Sequence, residues 1–280
     1  MMRKTMSAMR ALVAVVALSA GAPVLAQQMY ATPDAAAEAL GDAISRSDDD
    51  ALRHVLGNDF HKLLPPSGVD SDDVYEFLAA WARHHAIQPD GERRALLTVG
   101  ESGWTFPAPL VEQKNGWHFD LQAGEREVLR RRLGRNELVA METLLQLADA
   151  QERYAQQVGG GRYATQLVSS PGKTNGLYWP STSQENASPL GPDALAMVPE
   201  TPVDSAFYGY HYRAIAPPKG SNAKYAFVAW PAQYGQSGIH TFLLGSDKTF
   251  YERDLGAGTA TRAKTIRSFS PDGWQRVSHR

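Results

Sequence analysis

Cysteine is absent from all 280 residues. Its absence excludes a disulfide framework, a thiol nucleophile, Cys-ligated zinc and iron–sulfur clusters. It also excludes a lipid-modified N-terminal cysteine. A basic block is missing too: Lys and Arg number 28 against 30 Asp and Glu, a formal net charge of −2. Nucleic acid and anionic membrane surfaces are recognised by clustered cations, so neither is an expected partner. Past residue 26 there is no long apolar run, and a bilayer needs about 20 such residues in a helix. The eight histidines are scattered, with no His-Glu-x-x-His pair. No metal and no cofactor is expected.

What is present begins with Arg3, Lys4 and Arg10, ahead of the apolar run Ala11 to Ala20 and the small-residue phrase Val24-Leu25-Ala26. A charged start, a short apolar stretch and small residues at the cut are the secretory pattern. Residues 1–26 are therefore expected to be a signal peptide cleaved after Ala26, with the mature chain free in the periplasm and not inserted in the membrane. The mature chain has 254 residues (280 minus 26) and, with three cations removed, a charge of 25 minus 30, or −5.

Thr32-Pro33-Asp34 is a helix start: hydroxyl cap, proline in the first turn, an acid beside it. Asp50 and Ser71 are expected to cap two more helices. The second of these carries Val74, Phe77, Leu78 and Trp81 on one face, with His84 and His85 following on the same helix and Pro89 and Gly91 closing the region. Alternation then takes over. Leu96 to Val99, Trp104 to Val111 and Trp117 to Asp120 form a three-strand meander, with Asn115-Gly116 as the second turn. Pro107 and Pro109 weaken pairing in the middle run.

Glu125 to Gln157 is helical by period, with a break near Gly134 and Asn136 capping the second piece. Leu138, Met141, Leu145, Ala148 and Ala155 form its apolar stripe. Residues 159–203 are irregular, either an ordered excursion pinned by Tyr163, Leu167, Tyr178 and Trp179 or a partly mobile stretch. Four strands follow: Phe207 to Ile215, Tyr225 to Trp230, His240 to Leu244 and Thr249 to Asp254. The expected fold is α+β, helices packed on antiparallel meanders, in two units, 27–124 and 125–280. The second is a long amphipathic helix on a four-strand sheet.

GWTFPAPL from Gly103, GWHFD from Gly116, RRRLGRNEL from Arg130, NGLYWP from Asn175 and FVAWPAQYGQSGIHTF from Phe227 occur in this order. On these phrases the chain resembles a family of exported bacterial proteins, domain of unknown function 2950. That resemblance implies a shared fold and export, and no activity. NELVAMETLLQLADAQERYA from Asn136, followed by GRYATQLVSS from Gly161, is loosely similar to the soluble headpiece of type IV pilin-like proteins, without their apolar N-terminal half. The first unit also resembles, faintly, a nuclear-transport-factor-2-like cone.

Catalytic patterns are weak. Ser170-Pro171-Gly172-Lys173 and Ser221-Asn222-Ala223-Lys224 have the Ser-x-x-Lys spacing but read as turns rather than helix starts. Ser237 in Gly-Gln-Ser-Gly reads as a turn as well. Arg130, Arg131, Arg132 and Arg135 either end a helix beside Glu125, Glu127 and Glu137, or form an anion site with the free amides of the next helix. Tyr208, Tyr210 and Tyr212 alternate along one strand. They are either core or, with Tyr178 and Trp179 over them, an aromatic platform. The binding candidates are thus Tyr178, Trp179, Tyr208, Tyr210, Tyr212, Arg131 and Arg135. The expected function is a non-catalytic binding or assembly accessory with an envelope protein as partner. The alternative is a periplasmic hydrolase joining His211, Ser170 and an acid.

Overall fold

A computed structural model describes residues 27–65, 68–181, 187–217, 220 and 222–278. Residues 1–26, where the signal peptide is expected, lie outside them. The chain is α+β and divides into two compact units between Gly124 and Glu125.

The first unit opens with helix α1 (Pro33–Ser45), where Thr32 Oγ1 accepts from the Ala35 amide at 3.1 Å. Helix α2 (Asp49–Leu56) is capped by Asp48, two residues before the expected Asp50, and stops at Gly57. Helix α3 (Ser71–Arg83) is capped by Asp70, which exchanges bonds with Asp73 in a capping box. Ser71 is therefore its first helical residue and not its cap, because a carboxylate is available one position earlier. Gly41 lets α1 and α3 approach: a Cβ there would stand 2.9 Å from the Trp81 ring.

The helix ends sooner than expected. His84 is its C-cap, and His85 opens strand β1 (His85–Pro89). The His85 ring stacks on Trp81 and bonds Glu38. The sheet continues through β2 (Arg94–Val99), β3 (Trp104–Thr105), β4 (Leu110–Gln113) and β5 (Gly116–Phe119), in the order β1-β2-β4-β5 with β3 also on β2. Five strands replace the expected three. Pro107 and Pro109 split the middle run into β3 and β4, since neither can donate to a ladder. Gly116 has φ +125°, and a Cβ there would lie 2.3 Å from the Tyr30 carbonyl oxygen, so the Asn-Gly turn requires its glycine.

Helix α4 (Leu121–Gln157) is unbroken. An internal glycine costs about 1 kcal/mol relative to alanine, which packing of the surrounding turns outweighs. Among its buried positions, Asn136, Ala140, Thr143, Leu147, Ala150 and Tyr154 step by four and three residues, and Met141, Leu144, Ala148, Gln151 and Ala155 widen the stripe beside them. Leu138, expected in the stripe, is 52% exposed.

In the second unit that stripe packs on a sheet of β8 (Tyr210–Ile215), β9 (Ala226–Pro231), β10 (His240–Gly245), β11 (Phe250–Asp254) and β12 (Gln275–Val277). All five strands are antiparallel, ordered β12-β11-β10-β9-β8. The sheet has one strand more than expected. Helix α6 (Thr259–Thr265), also unexpected, covers its other face through Ala263, with Ile215, Val228, Trp230 and Leu243 beneath it. Burial on both faces explains why β9 is a continuous apolar run instead of an alternating one.

The described part of 159–203 is an ordered excursion. It contains a parallel pair, β6 (Gln166–Val168) and β7 (Gly176–Tyr178), and a short helix α5 (Ala194–Met197). Gln151 on α4 both donates to the Ala164 carbonyl and accepts from its amide, and Tyr154 donates to the Thr174 carbonyl. Leu167, Leu177 and Trp179 complete the core.

Candidate binding cleft

The sequence candidates separate. Tyr210 and Tyr212 share one face of β8 and are fully buried against α4. The Tyr210 hydroxyl donates to the His240 carbonyl at 3.0 Å, and burial, with Glu137 nearby, pushes its pKa well above 10.0. Burial likewise raises Tyr212. Tyr208 is not on their strand. It sits in the preceding turn at φ +46° and is 56% exposed. Trp179 is buried in the same core as Tyr210 and Tyr212, and Tyr178 is half-buried on β7. These aromatics therefore form core and one exposed turn residue; they do not make a platform.

The arginines lie mid-helix. Glu127 accepts from Arg130 and from Arg131 Nε at 2.6 Å. The Arg130 bond, with Arg131 adding to it against partial burial, lowers the Glu127 pKa to about 2. Arg135 is exposed on α4. Because α4 does not break, no helix start follows them, and the free amides of the anion site are not there. Asn136 and Glu137 instead reach the turn before β10. Asn136 donates to the Ser237 carbonyl, and Glu137 accepts from the Ile239 and His240 amides.

The hydroxyls and histidines that could have formed a triad have other partners. Ser170 Oγ accepts from Gln166 Nε2 at 3.2 Å, and Lys173 follows it in a turn. Ser221 lies outside the described residues. Ser237 is bonded to both main-chain groups of Gln233. His211 Nδ1 lies 3.1 Å from the Val198 carbonyl. Burial lowers its pKa below 6.5, so the neutral ring donates to that carbonyl. Among the described residues no group of three His, Asp or Glu is placed to hold a metal ion.

Sequence reasoning missed a cleft of about 730 Å³ between β6, α5 and β8. Its charged lining is Arg213, Lys264 and Arg267, opposed by Glu200. Arg213 donates to the carbonyls of Ala263, Lys264 and Ile266 at the end of α6 and lies over the Trp230 ring. This is a cation satisfying the orphan carbonyls of a helix C-terminus. Burial, and then the neighbouring Arg267, lowers its pKa. Lys264 and Arg267 are exposed and spaced i, i+3, with no side-chain ion pair among the described residues. About fifty residues separate them from Arg213 in the chain, so no local pattern marks the group.

The first unit has its own cleft of about 710 Å³, lined by Asp73, Glu76, Glu101, Phe77 and Trp104. Asp73 is already engaged in the α3 cap.

The model of a family described as "Protein of unknown function (DUF2950)" matches residues 27–277. No curated protein and no solved structure matches the chain, so the likeness to pilin headpieces is not shown.

Proposed function

The chain belongs to the DUF2950 family, and from that membership and the cationic cleft we propose that it is an exported binding protein. It is a non-catalytic binding or assembly accessory of the cell envelope. The observation that carries the reading is the cleft itself: three cations against one carboxylate, with Arg213 held in place by bonds to the carbonyls of α6. Pockets of this size, about 300–1,000 Å³, suit small ligands or short segments. Export is supported by the N-terminal pattern of charge, apolar run and small residues.

The test has two parts. The mature N-terminus, read by mass spectrometry after osmotic-shock release, should be Gln27. A crosslinked pull-down of tagged mature protein from the envelope should then yield one stoichiometric partner, lost when Lys264 and Arg267 are both changed to alanine. Turnover by purified protein that disappears with His211→Ala or Ser170→Ala would replace this reading with the hydrolase.

A further inference from the structure

We propose that the cleft of the first unit takes a free alkylammonium ion, a small organic cation such as choline. The rings of Phe77 and Trp104 and the carboxylates of Glu76 and Glu101 recognise it. The cationic cleft belongs to the other unit, so this site stands or falls without it.

One helix face builds the first wall. Asp73, Glu76, Phe77, Ala80 and Arg83 on α3 fall at spacings of three and four residues and line the cleft together. The turn after β2 builds the other. There Gly100 takes φ +74°, and a Cβ on it would stand 3.4 Å from the Ala80 Cβ. Its amide donates to the His84 carbonyl at 2.8 Å, which ties the turn to the end of α3. Glu101 follows in that turn, and Trp104 is set on β3 by pairing with Val99.

The ligand chemistry follows from the rings first. Trp104 lines the cleft and is 43% exposed. The Phe77 ring stands 6.2 Å from it at 82°, so the two make a corner. Aromatic faces attract a cation within about 6 Å of the ring centre, and quaternary ammonium groups most characteristically. The charge of the lining has the matching sign: Asp73, Glu76 and Glu101 against Arg83. Asp73 serves the α3 cap, and Arg83 Nε donates to the Ala79 carbonyl. Glu76 and Glu101 are exposed and make no ion pair among the described residues. A hard metal ion needs several oxygen ligands converging on one point, and no trio of His, Asp or Glu among the described residues does so. An anionic ligand is repelled. A cation whose charge is spread over alkyl groups satisfies rings and carboxylates together, and the cleft of about 710 Å³ lies in the range of small-ligand sites.

The experiment is isothermal titration calorimetry of the mature protein with choline and with its uncharged carbon isostere, dimethylbutanol. The isostere should bind at least about tenfold more weakly. Trp104→Leu, which keeps an apolar side chain but removes the ring, should weaken choline at least about tenfold, as should Glu76→Gln/Glu101→Gln. Both glutamates are exposed, so the double variant keeps its fold, and circular dichroism checks each protein. Equal binding of choline and the isostere, unchanged binding in the double glutamine variant, or displacement by glucose overturns the proposal. So does the absence of choline binding at about 10 mM. Binding to phosphatidylcholine vesicles as strong as to choline overturns the assignment to a free ion, since the headgroup brings a phosphate that Glu76 and Glu101 repel. None of these outcomes bears on the envelope pull-down, which reads Lys264 and Arg267.

Discussion

Glu137, one turn after Gly134, binds His240 through both its main chain and its ring: its carboxylate accepts from the His240 amide at 3.0 Å and lies 3.2 Å from Nδ1. The same oxygen accepts from the Ile239 amide at 2.8 Å. Hydrogen bonds to a charged group are worth about 1.5–3 kcal/mol each, and this carboxylate ties α4 to the start of β10. Glu137→Ala should destabilise the second unit by about 2–4 kcal/mol. Glu137→Gln, which keeps an acceptor, should cost less. Urea unfolding followed by tryptophan fluorescence measures both.

Gly238 lies beside that junction. A Cβ at this position would stand 2.1 Å from the Tyr210 hydroxyl, and that hydroxyl is held by the His240 carbonyl. Gly238→Ala should therefore lower stability by about 1–3 kcal/mol, the range for overpacking. Gly235→Ala meets no neighbouring atom, so its penalty comes only from its left-handed φ of +75°. Thermal melts of the two variants should show the larger loss at Gly238.

The tyrosine stripe divides into core and surface. Tyr210→Ala removes a fully buried ring and should cost about 3–5 kcal/mol, as large aromatic truncations do. Tyr208 is exposed in a left-handed turn. Tyr208→Gly should leave stability unchanged or raise it by about 0.5 kcal/mol. Equal destabilisation by the two would place Tyr208 in the core and contradict the structure.

Two groups whose pKa is lowered by folding make stability depend on pH in separate windows. Glu127, at about 2 against an ordinary 4.5, is lowered by folding, so the unfolded chain binds its proton more readily. Its contribution is full above about pH 4.5 and is lost as pH falls toward 2. His211 is also lowered on folding, so stability falls as pH drops below about 6.5. Urea midpoints across pH should lose the acid-side slope in Glu127→Gln and the near-neutral slope in His211→Gln.

Local chemistry made some elements legible. The Thr32 cap, the Asn115-Gly116 turn and the prolines splitting β3 from β4 depend on neighbours in the chain. The break expected at Gly134 and Asn136 failed for a non-local reason: the Asn136 amide bonds Ser237, about a hundred residues away. Strand β1 was hidden because His85 to Pro89 lacks clear alternation, and its pairing with β2 makes it a strand. In the candidate site, Arg131 and Arg135 stood out by density, yet Glu127 takes the former. Arg213 did not stand out, because its partners lie on α6.

The amino-acid order alone determined the α+β class, the family membership, the absence of thiol chemistry and most turn positions. These follow from composition, period and short-range caps. Tertiary structure alone decided that α4 runs unbroken, that β9 is covered on both faces, and that Arg213, Lys264 and Arg267 line one cleft. Each of those depends on groups distant in the chain meeting in space, where buried hydrogen bonds and packing outweigh local preference.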